Sequence, residues 1–375
     1  MGRKVIVAGH ICLDVTPTFP PHDSEGIADA IRPGKLVNVG RVDVSTGGLV
    51  ANTGLAMKYF GCDVRLLGKV GEDPFGNMVA DVLSQHGAAD GLIRAKGEST
   101  SYSIVLAIPG IDRAFLHNPG ANDSYSADDV PKSELEDAVL FHFGYPTLMA
   151  RMYRENGREL TKVMRRAREM GVATSLDLAA VDPQSEAGGQ DWDVILRNTL
   201  PYVDFFVPSV EELCFMLDRT RYDRWQADAN GHDITEVIDI ETDVKPLARR
   251  CLSYGAKVVL LKCGVRGMYC CSAPSEAISE ISPRAGLDAE SWGDLDCFEG
   301  SYVPEKVLSG TGAGDTSIAA FLTAMLGGEK PEMCLHLAAA TGASCVGAYD
   351  ALSGLRPLGE LRQKILDGWE KYPAR

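Results

Sequence analysis

Apolar positions along the chain follow two rhythms that alternate. Short, mostly apolar runs at residues 5–8, 64–67, 139–143, 172–176, 205–207 and 258–261 read as buried strands. Between them the apolar residues recur at helical spacing. Residues 50–60 form one such stretch, ended by Gly61, and residues 75–86 another, ended by Gly87. Leu160, Val163, Met164, Ala167 and Met170 mark a third face, closed by Gly171; Ile318, Phe321, Leu322, Met325 and Leu326 mark a fourth, stopped by Gly327 and Gly328. Strand and helix in alternation predict an α/β sandwich with a mainly parallel sheet.

Two regions break the rhythm. Residues 14–46 are rich in proline, glycine and charge, with a strand expected at 36–39; residues 98–117 read as strands at 102–108 and 114–117 around a Pro-Gly-Ile-Asp turn. A small β subdomain built from both is the simplest account, placed as a lid over a site. The α/β core is then 1–13, 47–97 and 118–375. The polar stretches 218–243 and 274–301 read as surface insertions, with Trp225 and Trp292 as local packing anchors.

Composition narrows the function. The chain has 375 residues, 45% of them hydrophobic, enough for a full core, and a net charge of -15. That charge argues against a nucleic-acid surface. The ten cysteines show no CxxC pair and no zinc-ligand spacing, so buried free thiols in a reducing compartment are expected. No run approaches the ~20 apolar residues of a membrane span, and the amino terminus runs straight into a strand, so a cytoplasmic protein is expected.

The chemistry gathers around Ser309-Gly-Thr-Gly-Ala-Gly-Asp-Thr316, a glycine-rich turn entering a helix. The first amides of a helix lack internal partners and carry partial positive charge, which suits phosphate. Gly312, Ala313 and Gly314 therefore read as an anion hole. Asp315 would repel a phosphate there unless it takes a proton from an incoming hydroxyl. A second cluster, Gly47 and Gly48 with Asn52, serves either as a tight strand-to-helix turn or as a close approach to a polar ligand. Asp14 after the first strand is either a turn cap or a holder of sugar hydroxyls, and Asn122 either a turn residue or a side chain in the cleft. Ser209 and Glu212 have the spacing of a capping box; Glu212 would alternatively face a hydrated Mg2+ on nucleotide phosphates. Lys262, Gly264 and Gly267 form a hairpin turn or wall a nucleotide pocket. Neither a P-loop nor a Gly-x-Gly-x-x-Gly dinucleotide motif is present.

These pieces, in order over nearly the whole chain, resemble the PfkB, or ribokinase-like, carbohydrate kinases. The likeness rests on Gly47, Gly48 and Asn52, on the stretch from Gly68 to Gly76, on Gly120-Ala-Asn122, on Gly312-Ala-Gly-Asp315 and on the late helix around 338–347. The resemblance implies a three-layer α/β/α core with a β lid, and transfer of the ATP γ-phosphoryl to a sugar hydroxyl, a primary one by preference. It implies Asp315 as general base; Asp14, Gly47, Gly48, Asn52 and Asn122 on the sugar; Ser209, Lys262, Gly264, Gly267, Thr311 and Gly314 on ATP; and Glu212 on Mg2+ through water. Three departures stand out. Ser309 replaces the family's usual Asp, which leaves K+ activation open. Ser209 replaces the Asn of Asn-x-x-Glu. Gly144-Tyr145 stands where ribokinases carry a sugar-binding acid, which argues against ribose. A nucleoside kinase with Phe19, Tyr102 and Phe115 as walls, and a non-catalytic sugar sensor, are the rival readings. Arg113 is expected to be a solvated lid residue. The exposed lid edge is a candidate for homodimer pairing.

Overall fold

The computed structural model describes residues 3–20, 27, 31, 33–109 and 114–373. Among them, strands form a nine-stranded sheet and a separate four-stranded sheet. In chain order the elements are β1 (Lys4–Gly9), β2 (Cys12–Pro17), β3 (Val42–Gly47), α1 (Leu49–Tyr59), β4 (Asp63–Gly71), α2 (Pro74–Gln85), β5 (Ile93–Ala95), β6 (Tyr102–Leu106), β7 (Ala114–Asn118) and β8 (Ala138–Gly144). There follow α3 (Ala150–Glu169), β9 (Ala173–Asp177), α4 (Trp192–Thr199), β10 (Phe205–Phe206), α5 (Val210–Leu217), α6 (Arg219–Ala229), α7 (Lys245–Ser253), β11 (Val258–Lys262), β12 (Gly267–Ser272), β13 (Asp296–Gly300), α8 (Ala313–Leu326), α9 (Pro331–Cys345) and α10 (Leu358–Leu366).

The large sheet has the order β13-β12-β11-β10-β9-β8-β1-β4-β5. It is parallel from β5 to β11, and β12 and β13 add to it antiparallel. The mostly apolar runs have their cause here, because both faces of the sheet are covered. Ile6 and Ala8 point into a core shared with Leu160, Val163 and Met164 of α3; Val5 and Val7 point into the opposite core, with Leu49 of α1 and Phe321 of α8. The result is a three-layer α/β/α sandwich.

The small sheet, β3-β2-β6-β7, joins both irregular excursions. Its outer strand lies later than expected. Residues 36–39 form no strand, and Leu36 is 90% exposed, whereas β3 pairs with β2 in a register that brings Gly47 opposite Cys12. Asp14 likewise lies within β2 rather than in a turn after β1. The expected turn around 110–113, and Arg113 with it, fall outside the described residues.

The two supposed insertions are also more ordered than their sequences indicate. Residues 219–229 form α6, and Trp225 is buried. The second stretch contributes β13, and Trp292 packs edge-on between Phe205 and Phe321. Each stretch packs through one large aromatic together with a few aliphatic residues, Ile234 and Ile238 in the first and Ile278 and Ile281 in the second.

Candidate active site

Strands β1, β8, β9 and β11 end on one edge of the sheet, at Gly9, Gly144, Asp177 and Lys262. The order reverses at β1, between β4 and β8, and open α/β sheets bind ligands at such a point. Helices α8 and α1 deliver the rest of the site.

Gly312 caps α8, so the amides of Ala313 and Gly314 open the helix and Asp315 lies in its first turn. Asp315 is only 4% exposed. The carboxamide of Asn52, on α1, donates to its Oδ2 at 2.8 Å, and the Tyr145 hydroxyl lies 2.8 Å from both of its oxygens. Burial, then the charges of Asp315 and Asp177, push the Tyr145 phenol well above its usual range, so it stays a donor.

Lys262 closes the other side. Its Nζ bonds both carboxylate oxygens of Asp177, at 2.7 and 2.8 Å, and a side chain on Gly314 would touch its stem. Burial pulls Lys262 down, but the charges of Asp177, Glu212 and Asp315 outweigh it and hold the ammonium protonated. Burial pushes Asp177 up to about 7. A cation thus sits beside the amides of the glycine turn, where an anion would bind.

A cavity of about 550 Å³ opens here. Ser209, Glu212, Lys262, Gly264, Gly267, Gly312, Ala313, Gly314 and Asp315 line it, with Ala339, Gly342 and Ala343 of α9 on the far wall. The hairpin between β11 and β12 is therefore both a turn and a wall. Ser209 and Glu212 do form the capping box of α5, the Ser209 amide donating to Glu212 Oε2 at 2.8 Å. Glu212 has capacity left, and its neighbour Glu211 is pushed up to about 7 by burial, Glu212 and Asp233. A divalent cation would relieve that repulsion. Among the described residues no group of three or more His, Cys, Asp or Glu is placed to hold a metal ion. These residues fit Mg2+ held mainly by phosphate oxygens and water. Thr311 stands at the mouth of the turn, its amide held by Ser309 Oγ at 3.0 Å.

A second polar group lies across Asp315. Gly47 and Gly48 link β3 to α1. A Cβ on Gly47 would stand 2.1 Å from Asp14 Oδ2, and one on Gly48, whose φ is 83°, would stand 2.6 Å from His10 Nδ1. The two glycines thus let Asp14 and His10 press against the turn. Burial raises the Asp14 carboxyl, which accepts from the Cys12 thiol at 3.3 Å. Asn122 needs correction: it does not reach the cleft. It is fully buried, and its carboxamide accepts from the Ile11 amide at 3.3 Å and donates to the Ile11 carbonyl at 2.9 Å. It braces the chain between β1 and β2.

Sequence reasoning missed His10, Tyr145 and Asp177. His10 is 1% exposed, and burial with His117 lowers it to about 3. Its ring lies 5.9 Å from that of Tyr145 and 5.3 Å from that of His117 on the lid. Asp177 had a signal: an acid directly after an apolar run expected to be a strand sits where this fold builds its sites. Tyr145 was noticed only as a departure from the ribokinase pattern, at the same edge, and not as a partner of Asp315.

Residues 3–356 match the family described as pfkB family carbohydrate kinase. An uncharacterized sugar kinase of Archaeoglobus fulgidus is 26% identical over 80% of this chain and 98% of its own length. Fructokinase-1 of Zea mays is 29% identical over 47% of this chain, a stretch covering 51% of that enzyme. Among solved structures, Arabidopsis thaliana ribokinase complexed with ribose and ATP superposes with a TM-score of 0.69 at 20% identity, covering 97% of this chain and 98% of that one. Fructokinase of Xylella fastidiosa with bound ATP gives 0.68 at 18%, covering 98% and 99%. With the family match running through nearly every element of both sheets, this chain belongs to the pfkB family of carbohydrate kinases.

Proposed function

We propose that the protein transfers the γ-phosphoryl group of ATP to a hydroxyl, a primary one by preference, of a sugar, with Asp315 as general base. The observation that carries this reading is the position of Asp315. It stands in the first turn of α8, between a cavity lined by the glycine turn and Lys262 and a second group formed by Asp14, Gly47, Gly48 and Asn52. Phosphoryl transfer asks for positioning and charge stabilisation more than for covalent chemistry, and these residues supply both.

ATP would lie along the cavity, its adenine toward Ala339, Gly342 and Ala343 and its phosphates toward Lys262, Gly264 and Gly267. The amides of Ala313, Gly314 and Asp315 would stabilise charge on the moving phosphoryl. Asp315 would accept the proton of the attacking hydroxyl. Mg2+, reached by Glu212 through water, would neutralise phosphate charge. Asp14 and the Gly47–Gly48 turn would hold the acceptor, and Asn52 would fix the base. The bound sugar and ATP in the ribokinase neighbour, and ATP with Mg2+ in a neighbour described as a ribokinase II from E. coli, support the substrate pair.

The test is a panel of sugars, sugar phosphates and nucleosides with ATP–Mg, read by ADP release and by mass of the product. Phosphorylated sugar, absent in Asp315→Asn, supports the reading. Nucleoside as the faster acceptor would replace sugar by nucleoside, and no acceptor-dependent ADP release at all would overturn the assignment.

A further inference from the structure

We propose that Tyr145 is a positioning residue for phosphoryl transfer, fixing the Asp315 carboxylate with its hydroxyl and tying it through its main chain to the phosphate side of the site. The inference rests on Asp315 being the general base. Its first support is the symmetric contact: one phenol hydroxyl at 2.8 Å from Oδ1 and 2.8 Å from Oδ2. With Asn52 on Oδ2, the plane of the carboxylate is set before any acceptor arrives, and Oδ1 keeps a lone pair for the incoming hydroxyl.

The second support is the backbone. Tyr145 has φ 66° and ψ 40°, left-handed values that are costly for a bulky residue. Glycine would sit there without that cost, so the strained conformation is kept for the side chain it presents. It directly follows Gly144 at the end of β8, and Pro146 begins the next turn. The ring then leans on His10 at 5.9 Å, which limits its rotation.

The third support is connection. The Tyr145 amide donates to the Asp177 carbonyl at 3.3 Å, and the Asp177 carboxylate holds Lys262, which lies beside Gly314. One residue therefore joins the base to the lysine placed for phosphate. A shift of either half of the site would be felt by the other through Tyr145.

Tyr145→Phe removes one oxygen and keeps the ring. With ATP–Mg and the fastest acceptor of the panel above, kcat should fall roughly tenfold to a hundredfold, as expected when a reacting group loses its orientation. KM for ATP and for the acceptor should stay within about twofold, since the ring that lines the cavity is kept and the hydroxyl removed is one engaged by Asp315. Tyr145→Gly, which suits the left-handed backbone, should lose at least as much kcat and guards against a folding defect specific to Phe. Wild-type kcat in Tyr145→Phe, with Asp315→Asn inactive, overturns the inference and leaves the kinase reading standing. A raised acceptor KM with unchanged kcat also overturns it, because the phenol would then be an acceptor contact. Full activity in Asp315→Asn removes both.

Discussion

The carboxamide of Asn52 donates to Oδ2 of Asp315 at 2.8 Å although 263 positions separate them in sequence. The contact exists because α1 and α8 pack side by side on one face of the sheet, each entering from a glycine turn. The contact thus brings the two glycine-rich clusters together. Asp315→Asn keeps the size of the side chain but cannot take a proton. Turnover should fall by roughly 100-fold or more while the melting temperature and ATP binding change little. Steady-state kinetics beside a thermal melt checks this, and near-normal turnover would remove Asp315 from the mechanism. Asn52→Ala should show a milder loss of the same kind, since the base would keep the Tyr145 contact.

What was legible in the sequence follows from where information is local. Strands buried on both faces announce themselves as apolar runs, so β1, β4, β8, β9, β10 and β11 could each be expected within a few residues. Gly312 to Asp315 was legible for a similar reason, since a helix start needs specific residues next to one another. Tyr145 and His10 were not. Their roles depend on which strand ends become neighbours, and nothing near residue 145 refers to residue 315. Asn122 misled because its motif sits at the lid hinge, where a polar side chain serves equally well for bracing two strands as for meeting a ligand. The strand expected at 36–39 failed on register: pairing with β2 is fixed from the Gly47 end, and the apolar residues at 36–39 lie beyond that ladder.

The Lys262–Asp177 pair should be costly to break from one side. Asp177 is fully buried and Lys262 nearly so, with side-chain exposures of 0% and 13%. Lys262→Met would leave a buried carboxylate without its cation, and removing one partner of such a pair typically costs about 3–5 kcal/mol. Lys262→Met combined with Asp177→Asn should cost clearly less than the sum of the two single changes, because the stranded charge is gone. Urea unfolding of the four proteins gives the coupling directly. Additive losses would show that the pair is not coupled in the folded state. ATP affinity should fall in both proteins lacking Lys262, whatever their stability.

Stability against pH should report a histidine away from the reacting groups. His142 on β8 is fully buried, its Nδ1 2.9 Å from Ser175 Oγ, and burial with the charge of Lys262 lowers it to about 3. Its folded value is depressed below the unfolded value near 6.5, so the unfolded chain binds the proton first as pH falls. The contribution of neutral His142 is therefore complete above about pH 6.5 and is lost steadily toward pH 3. Asp177 and Glu211, both raised to about 7, work in the opposite direction over much of that range, so the wild-type profile alone would blur the effect. A difference measurement isolates it. His142→Gln cannot titrate; at pH 7 it should be the less stable protein, through lost packing and an altered bond to Ser175. From pH 7 to pH 5 the gap between the two proteins should close by about 2 kcal/mol, the slope approaching about 1.4 kcal/mol per pH unit for one proton below pH 6.5. Chemical unfolding at pH 7, 6.5, 6 and 5 measures the gap, and a constant difference across that series would mean that His142 carries its proton in the folded protein as readily as in the unfolded chain.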